Sequence, residues 1–300
     1  MTPPIPSDDV YCQRWSGVVE CITSNSHPSS RIVAFLHAAK TGGSSIGEAF
    51  NRAPAWNDNR MTESYLEGDL CMCGERSCQH FTRFLLTRGH GSAALRGGSY
   101  FLHFAHERYR AIQWCMEALE RRGRQIEVSY MTHRSAKDRL VSMFCDYWKM
   151  ATMEVVGESH ESHGARVHGR YREDGKHYMD SAGRIDGCAW LRSVAEHGTG
   201  MPFFLHEMFD GSVTGFRVAL ATGELALVRL DEVDDWIGQM TGVRPTTRAR
   251  VSSTNRPREV AAALEDATAL IDELAERDWE YDQAADEYFM MRDCGQPFVP

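Results

Sequence analysis

The stretch RIVAFLHAAKTGGSSIGEAF, Arg31–Phe50, decides the fold. Its first eight residues, Arg31–Ala38, form a nearly continuous apolar run. A run without alternation suits a strand buried on both faces, as in parallel sheets. KTGGSS follows, and Ile46–Asn51 can continue as a helix. In a strand–loop–helix of this kind, consecutive backbone N–H groups and the helix N-terminus converge on an anion. Gly42 and Gly43 allow that anion to come close to the backbone. Lys40 precedes the glycines. An ATP-binding Walker loop has the reverse order, G-x-x-x-x-G-K-[ST], and nothing in the chain matches it.

The same rhythm continues downstream. SYFLHFAH, Ser99–His106, reads as a second strand, and ERYRAIQWCMEALERRG carries Ile112, Cys115, Met116 and Leu119 at helical spacing up to a stop at Gly123. A third strand, IEVSYMTHR, runs into SAKDRLVSMFCDYWKM, a helix with Leu140, Val141, Phe144 and Tyr147–Trp148 on its apolar side. A fourth, ELALVRL (Glu224–Leu230), precedes the helix DEVDDWIGQMTG. Strands alternating with helices imply an α/β, doubly wound, mainly parallel sheet. The 300 residues are taken as one domain. Residues 1–30, rich in Pro and Ser, read as a loosely ordered lead-in with one short strand near Val18–Ile22. Residues 51–98 and 153–187 are loop-rich. The second of these carries His160, His163, His168 and His177, and is either a solvated insertion or a substrate-facing lid.

Charge and cysteine content narrow the setting. Lys and Arg number 33 against 42 Asp and Glu, a net charge of −9, so no global basic footprint for nucleic acid exists and any anion site must be local. No run of about 18 apolar residues is present to span a membrane. The opening MTPPIPSDDVY lacks the positive segment and apolar stretch of a signal peptide, so a soluble, cytoplasmic protein is expected. Nine cysteines, an odd number in a large chain, favour a reduced compartment. Six of them, Cys12, Cys21, Cys115, Cys145, Cys188 and Cys294, are scattered as buried small hydrophobes would be. Cys71, Cys73, Cys78 and His80 cluster, and three readings stand for them: a structural zinc, reduced cysteines in a loop, or a local disulfide.

FLHAAKTGGSSIGEAF resembles the 5′-phosphosulfate loop, F-x-H-x-x-K-T-G-G-[ST]-S, of sulfotransferases that use 3′-phosphoadenosine 5′-phosphosulfate. YMTHRSAKDRLVSMFCDYW resembles the 3′-phosphate motif of the same family, in which a strand ends in Arg and a helix carries Ser eight positions later, as Arg134 and Ser142 do. The resemblance implies a P-loop-NTPase-like sheet flanked by helices. It also implies that Lys40, Thr41, Gly42, Gly43, Ser44 and Ser45 hold the phosphosulfate and that Arg134 and Ser142 hold the 3′-phosphate. Softer echoes lie in LALVRLDEVDDWIGQMTG and in IDELAERDWEYDQAADEYF, which is similar to the family's C-terminal helix. The carbohydrate-type branch fits better than the branch acting on phenols and steroids, whose K-x-G-x-x-G-x-W-K segment is missing. VSSTNRPRE, Val251–Glu259, falls where a nucleotide-covering loop would lie, with Arg256 or Arg258 toward a phosphate.

Sulfuryl transfer needs fixed positive charge and N–H donors at the leaving phosphate, and a base at the acceptor. Lys40 and the loop that follows supply the first by resemblance; no metal is required. His106 ends the second strand in a setting like the family's G-H-x-P-Y region, with Ala105 in place of the glycine, and is the first choice of base. His103 and then His37 follow it, each with the plainer alternative of a core histidine. The expected acceptor is a hydroxyl or amine of a small molecule or glycan, shaped by residues 51–98 and 153–187. Two other activities stay open: a nucleotide-dependent phosphoryl transferase, and a nucleotide-binding protein without turnover.

Overall fold

The computed structural model describes residues 8–25, 30–38, 41, 46, 49–50, 99–105, 107–152, 186–189, 191–192, 203–242 and 258–299. Their strands are β1 (Ile32–His37), β2 (Tyr100–Ala105), β3 (Val128–His133) and β4 (Leu225–Arg229). The helices are α1 (Asp8–Asn25), α2 (Tyr109–Glu120), α3 (Ala136–Thr152), α4 (Leu205–Met208), α5 (Val213–Thr222) and α6 (Val233–Thr241). They continue with α7 (Arg258–Asp266), α8 (Thr268–Ala275), a 3₁₀ turn (Glu276–Asp278) and α9 (Trp279–Asp293). The chain divides into two compact units, one built on Thr2–His133, Gly200–Ala249 and Glu280–Pro300, the other on Arg134–Thr199 and Arg250–Trp279.

The first unit holds the sheet. Its four described strands run parallel in the order β2-β1-β3-β4. Because side chains alternate across a strand, the register sorts the core into two layers. Ile32, Ala34, Leu36, Leu102, Phe104, Met131 and Leu227 pack on one face with α1, α2, α5 and α9. Val33, Phe35, Phe101 and Val228 pack on the other with Ile46, Ala49, Phe50 and α6. Helical cover on both faces explains why β1 reads as an unbroken apolar run rather than an alternating one. α5 ends at Gly223, whose φ of 77° is a left-handed value that a side chain would strain.

Three expectations need correction. Val18–Ile22 is not a strand but part of α1. Trp15, Val18, Val19 and Ile22 recur at i, i+3, i+4 and i+7 and are all buried, so helical spacing outweighs the β-branched composition. The C-terminal segment is not one helix, since the 3₁₀ turn separates α8 from α9. The scattered cysteines do not behave alike. Cys115 and Cys145 are buried, whereas Cys188 is half-buried and Cys294 exposed.

The second unit packs α7 and α8 against α3 and each other. Leu140, Phe144, Leu191, Val260, Leu264, Ile271 and Leu274 are among its buried apolar residues. A Cβ at Gly187 would lie 3.1 Å from the Ala263 carbonyl and 3.2 Å from the Phe144 ring, a tight fit that any side chain there would have to relieve by shifting its neighbours. Among the described residues, no helix is long and apolar enough to cross a membrane.

Candidate functional site

In parallel sheets ligands gather at the carboxyl ends of the strands, where the chain order reverses. Here β1 is followed by β2 on one side, and β3 then pairs on the other side of β1. The switch point is therefore the carboxyl end of β1 beside β3. β1 ends there at His37, and KTGGSS follows it three residues later in the sequence.

Thr41 is the one member of the expected phosphosulfate loop among the described residues, and it is buried. Its hydroxyl donates to the Ala38 carbonyl at 2.7 Å. Its own carbonyl accepts from the Thr132 hydroxyl, also at 2.7 Å. Thr132 is buried at the carboxyl end of β3, so these two bonds tie the loop both to its own strand and to the neighbour across the switch point. The hydroxyl proton of Thr41 is thus committed inward. Lys40, Gly42, Gly43, Ser44 and Ser45 lie outside the described residues.

Two candidate bases meet on the same edge. His103 Nε2 lies 3.1 Å from His37 Nδ1, with His103 fully buried and His37 nearly so. The His103 ring packs against Phe35 and Phe101, with centroids 5.4 and 6.2 Å apart. One hydrogen bond between two imidazoles needs one N–H and one lone pair, so the pair cannot carry two positive charges while it persists. His106, the first-choice base, lies outside the described residues. The chain just beyond it is anchored: Arg108, nearly buried, donates to the Glu207 carbonyl at 2.7 Å and pairs with Asp210. Nearby Cys115 is fully buried, and burial foremost and the charge of Glu107 second push its thiol well above the ordinary value.

Arg134 and Ser142 belong to the second unit. Arg134 is the first residue after β3 and is half-buried, while Ser142 is buried on α3. A residue that motif reading passed over organises this segment. Arg139 is fully buried, and its Nη2 donates to Asp278 Oδ2 at 2.5 Å. Its Nε donates to the Arg134 carbonyl at 3.1 Å. The available signal was an arginine at i−3 from Ser142, on the face of α3 that the motif already assigns to the ligand.

Arg258 opens α7, and Arg256 lies outside the described residues, as do Cys71, Cys73, Cys78 and His80. Among the described residues, no group of three or more His, Cys, Asp or Glu side chains is placed to hold a metal. The chain gives no significant match to any protein-family model, curated protein or solved structure.

Proposed function

We propose that the chain is a sulfotransferase of the carbohydrate-type branch, built on a P-loop-NTPase-like doubly wound sheet, with 3′-phosphoadenosine 5′-phosphosulfate as donor. One observation supports it: β1, whose sequence runs on into the FLHAAKTGGSS motif, ends at the switch point of a parallel sheet, with Thr41 bonded to Thr132 of β3. The hydroxyl or amine of the acceptor attacks sulfur in line as the bond from sulfur to the 5′-phosphate oxygen breaks. The acceptor's proton passes to a base, and 3′-phosphoadenosine 5′-phosphate leaves. Lys40 and the backbone of Thr41–Ser45 take the developing charge on that phosphate, and His106 takes the proton; both roles come from the resemblance. Arg134 and Ser142 hold the 3′-phosphate through a forked guanidinium contact and a hydroxyl donor. The acceptor is a small molecule or glycan.

Calorimetry with two ligands tests the donor site. Adenosine 3′,5′-bisphosphate should bind far better than adenosine 5′-phosphate, and Arg134→Ala should weaken only the first, by ~2–4 kcal/mol. Equal losses for the two ligands would remove the assignment. Turnover of a labelled phosphosulfate donor then separates an enzyme from a protein that only binds nucleotide. Magnesium-dependent phosphoryl transfer would instead favour a kinase-like activity.

A further inference from the structure

Arg139 and Asp278 form an ion pair with no exposed surface on either side chain. Burying two charges costs several kcal/mol each, and apolar residues of similar volume are often as stable or more so. Stability alone therefore does not account for the pair. Nor does helix initiation need it, because Ser135 already caps α3. The Ser135 hydroxyl accepts the Asp138 N–H at 3.2 Å, and its carbonyl accepts the Arg139 N–H at 2.9 Å. The side chain of Arg139 is directed elsewhere, to the carbonyl of Arg134 that precedes this cap.

We propose that Arg139, locked by Asp278, is the positioning residue of the arm that reads the 3′-phosphate, and so sets selectivity for nucleotides bearing that phosphate; this rests on the sulfotransferase function proposed above. The bond from Nε fixes the peptide plane between Arg134 and Ser135, and with it the direction in which the Arg134 side chain leaves the chain. A planar guanidinium can hold a carboxylate and a carbonyl at once in fixed directions, which an ammonium cannot do. Ser142 lies three residues beyond Arg139 on α3 and is buried like it, so one helix face carries both the anchor and the hydroxyl donor. The 3₁₀ turn that interrupts the C-terminal helices has a purpose in this arrangement. It is the segment that presents Asp278.

The test measures dissociation constants for adenosine 3′,5′-bisphosphate and adenosine 5′-phosphate, with a thermal melt of each protein. Wild type, Arg134→Ala, Arg139→Lys and the double variant Arg139→Met with Asp278→Leu are compared. The double variant should melt close to wild type, while its preference for the bisphosphate falls by about tenfold or more, toward that of Arg134→Ala. Arg139→Lys keeps a charge beside Asp278 but loses the planar fork, and should lose preference in the same direction. An unchanged preference in a folded double variant overturns the positioning role, while the dependence on Arg134 leaves the donor site standing. If the double variant does not fold, an unchanged preference in Arg139→Lys overturns it instead. A wild type without preference, or one indifferent to Arg134→Ala, removes the donor site and this inference together.

Discussion

Thr41 and Thr132 are 91 residues apart, yet one 2.7 Å bond joins them at the switch point. Thr132→Val keeps the shape and removes the donor, leaving the buried Thr41 carbonyl without it. The variant should lose about 1–3 kcal/mol of stability in urea titrations, the cost of stranding a buried polar group. If the loop binds the donor, affinity for adenosine 3′,5′-bisphosphate should fall as well; unchanged stability would show that the bond contributes nothing. The family resemblance led us to expect Thr41 as a ligand contact, but a motif cannot tell which way a hydroxyl points. Likewise His37 and His103 can each be named as candidate bases from the sequence. That they bond to each other follows only from the parallel register, which sets Phe35 beside His103 and His37 beside Ala105. Arg139 was the least legible of all, because an arginine within a helix ordinarily faces solvent.

At the scale of elements, α9 is tied to the end of β4 by charge. Arg229 bonds Glu232 at 3.0 Å and Asp293 at 2.6 Å, and Arg292 bonds Glu232 at 2.7 Å. Both guanidiniums lie over the Phe289 ring, 4.5 and 5.0 Å from its centre. Arg292 foremost holds the Glu232 carboxyl below its ordinary value of 4.5, and Arg229 foremost does the same for Asp293 below 3.8. A carboxyl depressed on folding adds stability that is complete above its unfolded value and is lost as pH falls through the folded one. Melting temperature should therefore fall as pH drops below 4.5, and the fall should be shallower in Arg292→Leu. The difference should be small, because partly exposed ion pairs are worth about 0–1 kcal/mol. Identical pH profiles for the two proteins would show that the cluster is inert. The strands and α2, α3 and α6 were legible from apolar spacing and glycine stops. The break at Glu276–Asp278 was not, since ERD carries no Gly or Pro to mark it.

Across the whole molecule, α1 belongs to the core rather than preceding it. Trp15 is fully buried and stacks on Phe104 of β2 with ring centroids 4.2 Å apart. Trp15→Ala should cost about 3–5 kcal/mol in denaturant unfolding, and a loss below about 1 kcal/mol would mean α1 is dispensable. The α/β alternation and the parallel character of β1 were legible in the sequence alone. Those properties are written in short-range patterns, because apolar spacing, glycines and charge act within a few residues of themselves. Folding alone set β3 beside β1, Thr132 against Thr41, His103 against His37, and Asp278 against Arg139. Each is a meeting of residues 66 to 139 positions apart. No local pattern encodes such a pairing; it exists because burying both faces of one sheet brings distant segments into a fixed register.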